Sequence, residues 1–161
     1  MGLVIRPARP GEAPLVLQLV RELAEYERLL HAVEATGAVL DLALFGPEPR
    51  IFCDIVEWSG EPAGFALWYY TFSTFQGRHG IYLEDLFVRP DHRGQGLGKA
   101  LLERLAARCR DGELGRLEWS VLDWNEPSIG FYRALGAEPV SGWTRYRLAG
   151  EPLSQLASEP S

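Results

Sequence analysis

The chain has 161 residues, a formal net charge of −6 and an isoelectric point of about 5.1. This length fits one domain with a sizeable core, and 47% hydrophobic with 24% charged residues is typical of a soluble globular protein. The acidic balance argues against a nucleic-acid partner, which usually requires a basic patch. No apolar run is long enough to cross a membrane and the N-terminus lacks the pattern of a secretory signal, so no membrane partner is expected.

The cysteines and histidines show no pattern of a metal site. Cys53 and Cys109 have neither CxxC nor metal-ligand spacing, and His31, His79 and His92 lie far apart in the sequence. Two reduced thiols in a cytoplasmic protein explain the cysteines better than a disulfide does. The sequence therefore predicts a cytoplasmic protein that holds no metal.

The first half of the chain predicts a strand, two helices and a β-hairpin. A strand at 3–5 precedes a helix with an apolar stripe at i, i+3, i+4 and i+7, formed by Val16, Leu19, Val20 and Leu23. Thr36 is a suitable N-cap for a second helix that ends near Phe45. Strands at 51–58 and 63–72 flank a turn at 59–62, and residues 73–80 form a polar loop.

The second half predicts a strand, a glycine-rich loop and a helix, followed by further strands. The strand at 81–88 leads into the loop, and Leu97, Leu101, Leu105 and Cys109 make the stripe of the helix. A strand at 117–122, a helix from Asn125 to about Leu135 and final strands at 137–140 and 143–148 follow. The order predicts an α/β protein with a mixed sheet and helices on both faces, in one domain at 1–150 with a polar tail at 151–161.

The loop from Arg93 to Lys99 is compatible with three kinds of phosphate site. A Walker loop would need a glycine where Arg93 stands and a hydroxyl where Ala100 stands. A dinucleotide fingerprint would need the third glycine one position later than Gly98, although Glu118 lies near the place of a ribose-binding acid. A glycine turn that opens a helix can hold a phosphate group in either case.

The third pattern, RxxGxG, fits without a misplaced residue on Arg93, Gly96 and Gly98. It resembles the pyrophosphate loop of the GCN5-related N-acetyltransferases (GNAT). Four stretches, which span nearly the whole chain, are similar to the spermidine/spermine (diamine) and thialysine branch of that superfamily: VIRPA at 4–8, YLEDLFV at 82–88, RGQGLG at 93–98 and WNEPSIGFY at 124–132.

The resemblance implies a GNAT-like, mostly antiparallel sheet and acetyl-CoA as the co-substrate. It implies that the main chain of a strand segment pairs with the pantetheine arm, that the loop holds the pyrophosphate and that two polar residues of a later helix contact CoA. In this sequence these positions are Leu86, Phe87 and Val88 in the strand, Arg93, Gly94, Gln95, Gly96, Leu97, Gly98 and Lys99 in the loop, and Asn125 and Ser128 in the helix.

The resemblance also implies direct attack of an amine on the thioester of acetyl-CoA. Tyr132 is implied as the general acid that protonates the departing thiolate, and its spacing from Asn125 and Ser128 places all three on one helix face. Glu84 is implied as the base, acting through water, and burial is expected to raise its pKa. Neighbouring residues of a strand point to opposite faces, so Asp85 is expected to contact the substrate amine or anchor the strand.

The substrate implied by the resemblance is a small amine, contacted by Tyr26 and Glu27 near the end of the first helix. Fewer acids follow this pair than in the polyamine enzymes, which favours a thialysine-like amino acid over spermidine or spermine. Arg28, Arg78 or His79 would then meet its carboxylate. The family also implies a homodimer. A catalytically silent acetyl-CoA sensor is the alternative function.

Overall fold

A computed structural model of the protein describes residues 2–158 and divides them into two compact units, one that ends at Leu122 and one that begins at Asp123. The strands are β1 (Leu3–Pro7), β2 (Phe52–Trp58), β3 (Glu61–Ser73), β4 (Arg78–Val88) and β5 (Leu117–Trp119). The helices are α1 (Ala13–Tyr26), α2 (Gly37–Phe45), α3 (Leu97–Asp111), α4 (Glu126–Ala134) and α5 (Gly150–Ser158). None of the helices within 2–158 has both the length and the hydrophobicity that a bilayer span requires.

The five strands of the first unit form one sheet in the order β1-β2-β3-β4-β5. Neighbouring strands are antiparallel except β4 and β5, which are parallel. The turn between β2 and β3 has positive φ at both Ser59 and Gly60, the type I′ geometry that suits the twist of a hairpin. β3 lies at the centre and its segment 63–68 is buried throughout. The predicted mixed, mostly antiparallel sheet is confirmed.

Helices cover both faces of this sheet. On one face, the buried stripe of α1 and two leucines of α2 pack against strand residues that include Ile55 and Phe65. α2 begins as predicted, since the Thr36 hydroxyl accepts a hydrogen bond from the Val39 amide at 3.2 Å. α3 lies on the other face, where its Arg108 forms an ion pair at 2.8 Å with Asp54, the residue next to Ile55 in β2. The glycine-rich loop and α1 are therefore fixed to one rigid sheet.

The Asp54–Arg108 pair predicts an unequal response to mutation. Asp54 is only 2% exposed and Arg108 is 28% exposed. Arg108→Ala leaves a buried carboxylate without its counter-ion, so we expect the free energy of unfolding to fall by about 3 kcal/mol, and Asp54→Ala to cost less. Arg110→Ala on the same helix removes an exposed pair with Asp111 and is expected to cost under about 0.5 kcal/mol. Urea denaturation measures all three, and equal losses for Arg108→Ala and Arg110→Ala would contradict the prediction.

The predicted loop at 73–80 and the last two predicted strands are wrong. The predicted loop at 73–80 is a turn of only four residues, 74–77, because Ser73 and Arg78 still pair and the Phe72 and His79 rings pack 4.9 Å apart. The predicted strands at 137–140 and 143–148 do not form, since a strand needs a partner for its backbone and none pairs with them within 2–158. The tail predicted at 151–161 forms α5, although residues 159–161 lie outside the described part.

Candidate active site

The centre of the candidate site is a β-bulge at Glu84 in β4. Leu67 of β3 pairs with Asp85 and the next residue, Trp68, pairs with Leu83, so Glu84 is the extra residue of the bulge. A bulge bends its strand and re-aims the side chains that follow it. The bulge therefore breaks the alternation of β4 at the two adjacent carboxylates.

The bulge places Glu84 and Asp85 on the same face, and the prediction of opposite faces is wrong. Asp85 pairs with Leu67 and Tyr82 pairs with Tyr69, and positions 67 and 69 share one face of β3. The carboxylate of Glu84 contacts the Tyr69 hydroxyl on that face at 3.5 Å. The period of two fails here because one residue of β4 has no counterpart in β3. Both carboxylates are consequently on the same side of the sheet.

Asp85 is the carboxyl group that titrates near neutrality. Burial raises its pKa to about 7, and the negative charges of Glu84 and Glu27 add to this. Burial also raises the pKa of Glu27. Glu84 itself is exposed, so the burial that was expected at Glu84 is found at its neighbour. The structure thus brings the three predicted acids of the site together at the end of α1 and the bulge of β4.

Arg93 connects the glycine-rich loop with the acids' side of the sheet. Its guanidinium lies 4.9 Å from the centre of the Tyr26 ring and 5.6 Å from that of Phe87, and its Nε donates to the Val88 carbonyl at 2.9 Å. Tyr26 is the last residue of α1, directly before Glu27. A cation over an aromatic face is attracted by the ring quadrupole. Arg93 therefore links the predicted cofactor loop to the predicted substrate residue Tyr26.

The loop has the conformation that its glycines permit. Gly94 and Gly96 have φ of 80° and 82°, in the left-handed region, and a Cβ added at either would meet no atom within 4 Å. Gly96 is the N-cap of α3, whose first amides have no partner within the helix. Gln95 and Lys99 are exposed, whereas the Leu97 side chain is buried in the core and can offer only its backbone. The loop presents backbone amides and one lysine to an open space.

β4 separates from β5 just before the segment Glu84–Val88. β5 pairs only with Ile81–Leu83, and it ends at Trp119 rather than at the predicted position 122. Within residues 2–158, no strand pairs with Glu84–Val88 on that side. The Val88 carbonyl on this segment accepts the hydrogen bond from Arg93 Nε. The predicted pantetheine positions, 86–88, lie on this open edge.

In the second unit, α4 carries the remaining predicted residues. Asn125 caps it as expected: its side-chain oxygen accepts from the Ser128 amide at 3.3 Å, and Asn125 is 4% exposed. Tyr132 lies near the other end of the helix and is half-buried, and the centre of its ring is 5.5 Å from that of the Phe131 ring. The three residues share a face by their spacing, and Pro127 in the first turn supports the helix start.

Comparison with known proteins identifies the family. The model of the Acetyltransferase (GNAT) family matches residues 16–137. The chain is 38% identical to the thialysine N-epsilon-acetyltransferase of Bos taurus, over 97% of this chain and 98% of that protein. It is 34% identical to the spermidine/spermine N(1)-acetyltransferase-like protein 1 of Homo sapiens, over 96% of this chain and 24% of that protein.

The chain belongs to the GNAT family of acetyltransferases. It is an acetyl-CoA-dependent N-acetyltransferase, as the sequence resemblance implied, and it matches the diamine and thialysine branch. A V. cholerae integron cassette protein shares the fold, with a TM-score of 0.82 and 24% identity over 99% of both chains. Within 2–158, no three His, Cys, Asp or Glu side chains are grouped as metal ligands.

Two tyrosines that lie beside the bulge were not among the predicted site residues. The Tyr69 and Tyr82 rings lie 5.4 Å apart beside the bulge, and the Tyr82 hydroxyl is 2.7 Å from that of Ser120. The sequence held a signal for the pair: a hairpin closed at Ser73 and Arg78 aligns Tyr69 with Tyr82. This register was not predicted because residues 73–80 were assigned to a loop, which left the pairing of the two strands undefined.

Proposed function

We propose that this acetyltransferase transfers the acetyl group of acetyl-CoA to the terminal amine of a small amino acid of the thialysine kind. The observation that carries the proposal is the group of three acids, Glu27, Glu84 and Asp85, beside the Tyr26 and Tyr69 rings. Negative charge and aromatic faces both favour a cationic amine. The name of the bovine relative supports the acceptor class, with a simple diamine or polyamine as the alternative acceptor.

The amine must lose a proton before it attacks the thioester carbonyl. The resemblance implied Glu84 as the general base, acting through water. In our proposal Asp85 is better suited, because a base with a pKa of about 7 works well near neutral pH. In our proposal Asp85 accepts the ammonium proton, and the exposed Glu84 passes it to solvent. Glu27 and Tyr26 hold the substrate cation.

Acetyl-CoA would occupy the open edge of β4 and the loop that follows it. The main chain of 86–88 would pair with the pantetheine arm, and the left-handed glycines and the first turn of α3 would receive the pyrophosphate. The residues proposed for this co-substrate are Leu86, Phe87, Val88, Arg93, Gly94, Gln95, Gly96, Leu97, Gly98 and Lys99, with Asn125 and Ser128 of α4.

Attack of the neutral amine forms the new C–N bond, and the C–S bond of the tetrahedral intermediate then breaks. The electron pair leaves with sulfur. We propose that the Tyr132 hydroxyl donates the proton that converts the thiolate to the CoA thiol, and that the proton lost by the new amide nitrogen restores the hydroxyl through solvent.

An amine panel tests the function. The protein is incubated with acetyl-CoA and thialysine, L-lysine, L-ornithine, putrescine or spermidine, and CoA release is followed together with the mass of the acetylated amine. We expect acetylation, with the amino acids ahead of the polyamines. If acetyl-CoA binds but no amine releases CoA above hydrolysis, the protein is a silent acetyl-CoA sensor instead.

We also propose that the protein acts as a homodimer. The segment between α4 and α5 exposes Trp143 by 81% and Tyr146 by 91%, which is unusual for large aromatic side chains and suits a contact surface. Sedimentation should give the mass of two chains, and a mass of one chain at micromolar concentration would contradict the dimer. The cytoplasmic location and the single domain at 1–150 stay predictions.

A further inference from the structure

The end of α1 is held in a conformation that its residue does not favour. Arg28 has φ of 63°, in the left-handed region, where glycine is the usual residue. Two hydrogen bonds fix it there: the Arg28 amide donates to the Glu25 carbonyl at 3.0 Å, and the Leu29 amide donates to the Ala24 carbonyl at 2.7 Å. These bonds make a Schellman motif with arginine at the glycine position. Backbone outliers of this kind cluster at functional sites, which makes the Arg28 side chain a candidate for a functional contact.

We propose that Arg28 binds the carboxylate of the amino-acid acceptor and so selects amino acids over diamines. This inference rests on the acceptor class proposed above. Arg28 directly follows Tyr26 and Glu27, and the charge of Glu27 acts on Asp85. Arg28 is an exposed residue, and its position in the chain puts it at the rim of the proposed amine site. A guanidinium can bind a carboxylate through two parallel hydrogen bonds.

The negative charges of the three acids favour a cation at the rim of the site when the acceptor carries a carboxylate. An amino acid that places its terminal ammonium beside Asp85 brings its carboxylate into the field of Glu27, Glu84 and Asp85, and this like-charge repulsion opposes binding. A guanidinium at the rim offsets that repulsion. A diamine carries no carboxylate, so it gains nothing from Arg28, whereas the second ammonium group is common to both kinds of acceptor and is repelled by Arg28 in each.

The other two cations suggested by the sequence lie too far away. Arg78 and His79 are at the opposite end of β4, about 20 Å from Asp85 at a rise of about 3.3 Å per residue. The amine nitrogen and carboxylate of an extended lysine-sized amino acid are only roughly 8 Å apart, from ordinary bond lengths. His79 also contacts the Thr71 carbonyl through Nδ1 at 3.1 Å. Arg28 is the remaining member of that set.

A purely structural role for Arg28 makes a different prediction. A cation at the C-terminal end of a helix interacts favourably with the helix dipole, and this effect is the same for every substrate. A residue that supports only the fold would change turnover of all amines alike. A residue that binds the carboxylate changes the ratio between an amino acid and its decarboxylated counterpart.

The test uses thialysine and bis(2-aminoethyl) sulfide, which carry the same aminoethyl-thioether arm and differ by the carboxylate. We expect the wild type to prefer thialysine in kcat/KM. Arg28→Gly should lower the ratio of the two kcat/KM values about 10- to 100-fold, mainly through the KM for thialysine, and Arg28→Lys should restore part of it. Arg78→Ala, at the far end of β4, is the matched control and should leave the ratio unchanged.

Arg28→Gly also relieves the left-handed strain, so its melting temperature should rise by about 2 to 4 °C, and a lost preference then cannot be attributed to misfolding. An unchanged ratio in Arg28→Gly overturns the role of Arg28, as does a wild type that acetylates both compounds equally. A wild type that acetylates other amines but neither of these two overturns the proposed acceptor class and, with it, the role of Arg28.

Discussion

Replacing Tyr132 by phenylalanine should lower kcat about 100-fold while acetyl-CoA binding changes by less than about two-fold. The physical reason is the proposed proton transfer to the departing sulfur: general acids contribute about 10²- to 10⁴-fold, and a thiol with a pKa near 8.5 is a fair leaving group that needs less help than an alkoxide. Steady-state turnover and calorimetric titration of acetyl-CoA measure the two quantities separately.

The control for Tyr132 comes from the same unit. Tyr146 is 91% exposed, and Tyr146→Phe removes the same hydroxyl away from the proposed chemistry while it keeps the ring that the proposed dimer contact uses. It should leave kcat unchanged. Full turnover in Tyr132→Phe would remove Tyr132 as the acid, and a large loss of acetyl-CoA affinity would assign the hydroxyl to binding.

Replacing Asp85 by asparagine should lower kcat/KM about 100- to 1000-fold, because the variant cannot accept the proton of the ammonium group. In the wild type, kcat/KM should fall as the pH drops below about 7, since the Asp85 carboxyl is then protonated. A pH profile of both proteins measures this. Glu84→Gln is the matched comparison, and a larger loss in Glu84→Gln than in Asp85→Asn would return the role of base to Glu84.

A stability measurement separates lost chemistry from lost folding in Asp85→Asn. The pKa of Asp85 is raised in the folded state from 3.8 to about 7, so the folded state holds this proton more tightly than the unfolded state does. The Asp85 carboxyl therefore lowers the stability of the wild type as the pH rises from about 4 to 7, and the asparagine variant lacks this contribution. At pH 8 we expect the variant to be more stable by about 1 to 2 kcal/mol, after allowance for the partial exposure of Asp85.

Local patterns in the sequence predicted most elements of the first unit. The stripe of Val16, Leu19 and Leu23 is buried as predicted, and the Thr36 cap and the Ser59–Gly60 turn lie where their residue types place them. Each of these depends on neighbours within a few residues. The glycine loop was found for the same reason, because its positive φ values need glycine at fixed spacing.

Features that depend on a distant partner were not predictable in this way. The bulge at Glu84 exists only through the register of β4 on β3, so the alternation rule gave the wrong faces for Glu84 and Asp85. The same non-local cause underlies the missed Tyr69–Tyr82 pair. The residues around Val140 and Trp143 have strand-like composition, but composition does not supply the neighbouring strand that a ladder requires.

The open segment Glu84–Val88 has a consequence for handling the protein. An unpaired strand edge is a template for strands of other molecules, and natural sheets cover such edges or shorten them. In the part of the chain that the structure describes, no strand pairs with this segment on the side of β5, and the proposed occupant is the arm of acetyl-CoA. The ligand and a foreign strand would compete for the same backbone groups. The concentration of acetyl-CoA would then govern the tendency of the protein to aggregate as well as its rate of turnover.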